Sequence, residues 1–342
     1  MFRPEGMPLF YQGQTWFKLV VVRSFMPGTP NSGLGDRTLV STADVEIENA
    51  NQLSRVYWNS LDAFFGQSCN LILGANGCTS IYLDTPNLDL LKAGLSLRDR
   101  PGGRSSCGEQ YPDQFGLKYR HTEFQEAATR IVGALFPGQN LEGFLPYVRA
   151  EIERPHFHQR DVSAYRFADL PEAIQAGIDQ RLNGKSHDMV FHPQFVTFVA
   201  RRKYKVYLDP AQPSQPLPHG HDLVCIEVAL DKCVYREPPP GMTVGEIAAK
   251  SQSALSGFGR HRRDKLIMEH ELKPGHSGSH LDTNAMIATY MRFRASLFDV
   301  EPIAEPIRTA GSKAARGFKS LITDPKNRAT RPNYDGLWRL AP

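Results

Sequence analysis

A chain of 342 residues, 41% hydrophobic and 22% charged, holds enough apolar material for one large domain or two smaller ones and is not the composition of a disordered segment. No run reaches the roughly 18 consecutive apolar residues of a membrane helix, and Arg3, Glu5 and Pro8 break up any signal-peptide core, so a cytoplasmic protein with no membrane partner is expected. Cys69, Cys78, Cys107, Cys225 and Cys233 form no Cys-x-x-Cys pair and are odd in number, which points to reduced thiols; the net charge of +4 is compatible with an anionic partner.

Residues 1–44, rich in Gly, Pro and aromatics, contain one strand-like run, Phe17 to Val22. Val45 to Glu48 alternates apolar and acidic residues as a strand does, and Leu53, Val56, Tyr57, Leu61 and Phe64 recur at helical spacing, predicting a helix over about 51–66. After Leu71 to Leu73 comes SIYLDTPNLDLLKAGLSLRDR, Ser80 to Arg100. Here Ile81 to Leu83 reads as a strand, and Asp84 or Thr85 caps a short leucine-rich helical turn with Pro86 at its first position. That turn ends at Gly94, and a strand follows on which Arg98 and Arg100 share a face. Pro101 to Pro112 reads as a loop and Gln114 to Arg120 as a strand. Thr122 caps a helix, and Tyr147 to Glu153 places Arg149, Glu151 and Glu153 on one face of a further strand. A helix follows Pro171. Phe195 to Leu208 and Leu223 to Asp231 form a hairpin with a long Pro-rich connection. A helix at about 243–255, a strand at Leu266 to Lys273 and a helix at about 281–297 complete the pattern.

The charged strand faces can be read in two ways. They are solvent faces of an amphipathic sheet, or, if the helices cover the apolar faces and the sheet closes, they line an interior. An interior of this kind must hold water, ions or a charged ligand, because each uncompensated buried charge costs several kcal/mol. Arginine and lysine rows suit phosphate oxygens, and glutamates without histidine suit hard cations such as Mg²⁺ or Mn²⁺.

Ser80 to Arg100, with its tyrosine, Asp-Thr-Pro turn, leucine-rich turn and Arg-x-Arg strand, resembles the CYTH domain of the triphosphate tunnel metalloenzymes. The resemblance extends over 45–321, leaving an N-terminal extension (1–44) and a C-terminal tail (322–342). It implies an α+β fold in which about eight antiparallel strands close into a barrel, helices pack outside, and a metal-bound triphosphate or nucleoside triphosphate is hydrolysed inside. Carried over position by position, Glu46, Glu48, Glu151, Glu153, Glu269 and Glu271 are the expected metal ligands. Arg98, Arg100, Lys118, Arg149, Arg201, Lys203 and Lys273 are the expected substrate contacts, with Glu48, Lys118 and Arg149 closest to the chemistry. Arg202 takes the place of Arg201 if the register slips by one residue. The segment Ser312 to Phe318 resembles a late motif of the same family.

The family's opening Glu-x-Glu-x-Lys has Ala50 in place of the lysine, for which Lys18 is a candidate substitute. The same tunnel carries adenylate cyclase and polyphosphate polymerase chemistry in related proteins, and the lost lysine leaves room for a non-catalytic polyphosphate sensor. His156, His158, His219, His221, His276 and His280 read as solvated loop residues. No nucleic-acid partner is expected, since the basic run Arg260 to Lys265 lacks interleaved aromatics.

Overall fold

The computed structural model describes residues 7–11, 14–22, 44–53, 69–70, 79–104, 110–120, 122–135, 137–138, 147–155, 160–208, 223–249, 261–263, 266–272, 283–298, 312–323 and 337–340. In chain order its strands are β1 (Met7–Tyr11), β2 (Gln14–Val22), β3 (Asp44–Leu53), β4 (Cys69–Asn70), β5 (Thr79–Asp84), β6 (Leu95–Arg100), β7 (Gly103–Arg104), β8 (Gln110–Tyr111), β9 (Gln114–Arg120), β10 (Tyr147–Pro155), β11 (Tyr165–Arg166), β12 (Val190–Leu208), β13 (Val224–Arg236), β14 (His261–Arg263) and β15 (Leu266–Leu272). The helices are α1 (Asp89–Lys92), α2 (Thr122–Leu135), α3 (Glu172–Leu182), α4 (Val244–Ala249), α5 (Thr283–Phe298) and α6 (Lys313–Thr323).

The expected α+β architecture is present in its coarser form, as a curled antiparallel sheet with helices against it. Neighbours run β1, β2, β12, β5, β6, β9, β10, β3, β15, β13, β14, and β13 also pairs with β12. The sheet curls as a half-barrel and splays where an evenly closed barrel was expected. The cause lies on one edge of β12, which β5 follows only from His192 to Phe198. Beyond that point the same edge is taken by β4, at Arg202 and Lys203, and by β2, at Lys205 to Tyr207. The N-terminal segment thus joins the main sheet through β2.

Strand alternation separates two faces. Leu95, Leu97, Leu117, Ile152, Val196 and Phe198 lie on one of them, buried with Ile174 and Ile178 of α3 and Val244 and Ile247 of α4. Each fully buried side chain of this size contributes about 1.5–3 kcal/mol. On the other face the helices were not expected, yet α6 sits there: Ala314, Ala315, Phe318, Leu321 and Ile322 pack on Tyr82, Phe195, Val199, Cys233 and Tyr235. The approach is close enough to require glycine, since a Cβ on Gly317 would stand 2.1 Å from the Phe195 ring.

Several local expectations change. Asn51, Gln52 and Leu53, expected to open a helix, extend β3 because they pair with Met268, Ile267 and Leu266 of β15. The remainder of that helix (54–66), residues 71–73 and the six loop histidines lie outside the described residues. The loop after Pro101 contains the β7–β8 pairing. Pro86 sits in the turn before α1, and Leu88 adopts a left-handed conformation (φ 56°) that delays the helix to Asp89.

Both expected capping residues act at α1. Thr85 Oγ1 accepts the Asp89 N–H at 3.1 Å. Asp84 Oδ1 accepts the N–H groups of Thr85 (2.7 Å) and Leu90 (3.0 Å), and Oδ2 that of Leu91 (3.0 Å). Burial raises the Asp84 pKa and the three N–H groups pull it down; the net effect pushes it up to about 7. Between about pH 4 and about pH 7 the folded protein therefore holds a proton that the unfolded chain has released. Stability should fall as pH rises through this window, by up to ~1.4 kcal/mol per unit. Comparing urea midpoints of the wild type and Asp84→Asn at about pH 4 and about pH 8 checks this, and a difference independent of pH would count against it.

Candidate functional site

Directly opposed residues of an antiparallel pair share a face, so the registers show where the predicted site residues fall. From β6 to β3, Arg98 opposes Gly116 and Arg100 opposes Gln114. Lys118 opposes Glu151, Gly116 opposes Glu153 and Arg120 opposes Arg149; Arg149 in turn opposes Glu46, and Tyr147 opposes Glu48. From β12 to β3, Arg201 opposes Asp231 and Lys203 opposes Ala229. Ala229 opposes Glu269, and Glu269 opposes Ala50. All of these lie on the concave face that receives α6. Arg202 opposes Leu230 on the other face, so the one-residue slip does not occur. Lys273 and the side chains of Glu46, Glu48 and Lys203 are outside the described residues.

Two clusters of charge occupy the face. In the first, Arg98 Nη2 donates to Glu151 Oε1 (2.6 Å) and Glu153 Oε1 (2.7 Å). Arg100 Nη1 and Gln114 Nε2 reach the same Glu153 oxygen at 3.3 and 2.7 Å, and Lys118 Nζ lies 3.0 Å from Glu151 Oε2. The Arg98 stem needs the space at Gly116, where a Cβ would come within 2.8 Å of Nε. Burial, then the adjacent Arg98 charge, push the Arg100 pKa down. A cation held in that position gains from an added anion, which is the electrostatic condition for phosphate binding.

The second cluster lies at the foot of α6. Arg201 forks onto Asp231, Nε to Oδ1 at 2.7 Å and Nη2 to Oδ2 at 2.5 Å, and also donates to Glu269 at 2.6 Å. Lys313 Nζ lies 3.0 Å from Asp231 Oδ2 and bonds Glu269 Oε2. Arg316 reaches Glu269 Oε1 at 3.3 Å and donates through Nε to the Tyr235 hydroxyl at 2.9 Å. Burial opposes ionisation of Glu269, but Lys313, Arg201 and Arg316 hold its carboxyl well below the usual range. Burial likewise works against the Arg201 charge, and Asp231 with Glu269 holds its pKa well above the ordinary value. Asp231, Lys313 and Arg316 were missed as site residues. Asp231 was legible, since it has the strand parity of Glu227; the other two stand on a helix and carry no such signal. Lys313 also bears on Ala50. That residue opposes Glu269, so an ammonium absent from β3 reaches the same carboxylate from α6. Cys225 and Cys233 are buried thiols. Burial, then Asp231, push the Cys233 thiol up to about 12, which removes it as a nucleophile at neutral pH.

A row of acids crosses three strands: Glu48 on β3 opposes Glu271 on β15, and Glu271 opposes Glu227 on β13. Opposed Cβ atoms stand about 4.5–5.5 Å apart, and like charges so placed repel unless a cation lies among them. An all-carboxylate set fits a hard divalent cation. Among the described residues alone, no three metal-ligating side chains converge, so the fit depends on Glu48. Sequence reasoning noted the parity of Glu227 but did not place it among the ligands.

A separate ionic knot lies on the opposite face. Arg160 donates to Asp99 at 3.1 and 2.8 Å and to Asp113 at 2.9 Å, and the Tyr165 hydroxyl donates to Asp99 at 3.0 Å. It ties the chain after Arg160 to the β6–β9 pair and shares no residue with the concave clusters.

No family model matches the chain, and no curated protein matches it in sequence. Among the described residues, no helix is long and apolar enough to cross a membrane.

Proposed function

We propose that the concave face binds a short linear polyphosphate and hydrolyses it with a divalent cation, inorganic triphosphate being preferred and nucleoside triphosphates second. The observation that carries this reading is the segregation of Arg98, Arg100, Lys118, Arg149 and Arg201, with their carboxylates, to one face of a curled sheet whose other face carries the main apolar core, with the Arg160–Asp99–Asp113 knot beside it. β13 joins the two arms of that face, pairing with β12 along Val196 to Leu208 and with β15 along Ile226 to Asp231.

In this reading Arg98, Arg100, Lys118 and Arg201 exchange carboxylate partners for phosphate oxygens, Arg149, Lys203 and Lys273 join them as phosphate contacts, and the fixed charges stabilise the leaving group. Mg²⁺ or Mn²⁺ would be held by Glu48, Glu271 and Glu227, with Glu46 beside them, and would neutralise charge on the transferred phosphoryl group. Glu48 takes the proton of the attacking water. Glu151, Glu153 and Glu269, also expected as ligands, serve first as counter-charges that keep the cations in place before substrate arrives. Cytoplasmic residence is part of the same proposal.

Phosphate release from triphosphate, measured with Mn²⁺, with Mg²⁺ and with neither, tests this directly, with release expected only in the presence of metal. Separating the products from ATP distinguishes hydrolysis (ADP or AMP) from cyclisation (cyclic AMP) and polymerisation (long polyphosphate). No release above background at any metal or pH removes the hydrolase reading. A binding module is the second reading, favoured by Ala50 and by a Glu269 already engaged by Lys313, Arg201 and Arg316. Binding without turnover in the wild type, with turnover appearing in Ala50→Lys, would establish it.

A further inference from the structure

The concave face has a rim where Arg120 ends β9. Arg120 lies two residues beyond Lys118 and opposes Arg149, so it belongs to the same face, about 7 Å further along the strand. Among the described residues its guanidinium meets no carboxylate. Nη2 donates instead to the backbone carbonyl of Arg339 at 2.7 Å, across 219 positions of sequence. Arg339 belongs to a 3-10 turn, Leu337–Leu340, that packs against α1 and α6. The Leu340 carbonyl lies 3.6 Å from where a Cβ of Gly94 would stand. Beside it, Arg181 donates to the Arg120 carbonyl at 3.3 Å and lies over the Tyr119 ring, its Cζ 4.6 Å from the centroid. Neither Arg120 nor Arg181 forms an ion pair among the described residues. The rim is therefore cationic, and its strand arginine is occupied by a neutral acceptor supplied by the chain itself.

We propose that Arg120 is a further phosphate contact at the mouth of the site and that the Leu337–Leu340 turn is a strap which an anionic ligand displaces. This rests on the polyphosphate reading above. A charge-assisted bond to a phosphate oxygen is roughly twice as strong as one to a neutral carbonyl, so Arg120 exchanges the Arg339 oxygen for phosphate when ligand reaches the rim. The strap touches α6, the helix that carries Lys313 and Arg316 to Glu269. Its release therefore loosens the element that holds those two cations against a carboxylate.

Two measurements decide the matter. The first is hydrogen exchange of the amides of residues 337–340, which needs no ligand. Arg120→Ala should speed this exchange relative to wild type, and unchanged exchange overturns the anchor. The second is calorimetric binding of inorganic triphosphate to the full chain and to a chain ending at Trp338, each with and without Arg120→Ala. Truncation should tighten binding about three- to tenfold when Arg120 is present and change nothing when it is absent. Equal affinity of full and truncated chains, with triphosphate bound by both, overturns the competition while leaving the polyphosphate reading intact. Binding by none of the four chains sinks the polyphosphate reading, and the competition with it.

Discussion

Arg201→Met should lower the unfolding free energy by about 3 kcal/mol or more, among the largest effects of any single change in the chain. Asp231 has no exposed surface and receives two bonds from Arg201; without them it retains Lys313, which is shared with Glu269. The loss comes from leaving a buried carboxylate short of positive charge rather than from the worth of the pair itself, so Arg201→Met combined with Asp231→Leu should recover part of the stability. Arg201→Lys should recover little, because an ammonium cannot reproduce the fork onto both Asp231 oxygens. Urea midpoints with an unchanged m-value check this. A midpoint equal to wild type would mean that the ionic cluster does not bind β12, β13, β15 and α6 together.

Arg98→Met should weaken triphosphate binding roughly 10- to 100-fold, the cost of one or two charge-assisted contacts. Arg98 is buried between Glu151 and Glu153 and is held by Gly116 in one geometry. Its loss removes a cation and leaves two carboxylates to repel the ligand. Arg160→Met is the matched comparison, since Arg160 makes an equally dense set of bonds on the opposite face. It should reduce stability and leave affinity unchanged. Calorimetry on both variants decides between the faces: equal weakening, or none in either, would place phosphate somewhere other than the concave side.

The faces of the strands were legible because alternation has a period of two, and a residue's parity survives any error in where the strand ends. Arg98, Lys118, Glu151 and Glu269 were placed on one face for that reason. Asp231 was lost at a boundary: the strand was read as stopping there, yet β13 continues to Arg236, leaving Asp231 in its middle. Lys313 and Arg316 were lost for a different reason. A helix of amphipathic pattern declares that it has an apolar side, but not which surface of a sheet will receive it. The helical reading of 51–53 failed for the same reason, because Leu53 fits both a helical repeat and a ladder position opposite Leu266, and only the partner strand decides.

The seat of α6 inside the curl has a consequence for how the molecule is made. On a ribosome, β12, β13 and β15 emerge well before Lys313, so Asp231 and Glu269 meet with Arg201 as their nearest cation. Among the described residues that nascent cluster has one positive charge for two negative ones until α6 is translated. The curled sheet must therefore tolerate an acidic hollow during synthesis, and α6, once it appears, both neutralises it and covers Phe195 and Tyr235. A ribosome stalled just before α6 should display a chain whose charged face is most exposed to stray cations and to chaperones that recognise apolar rings.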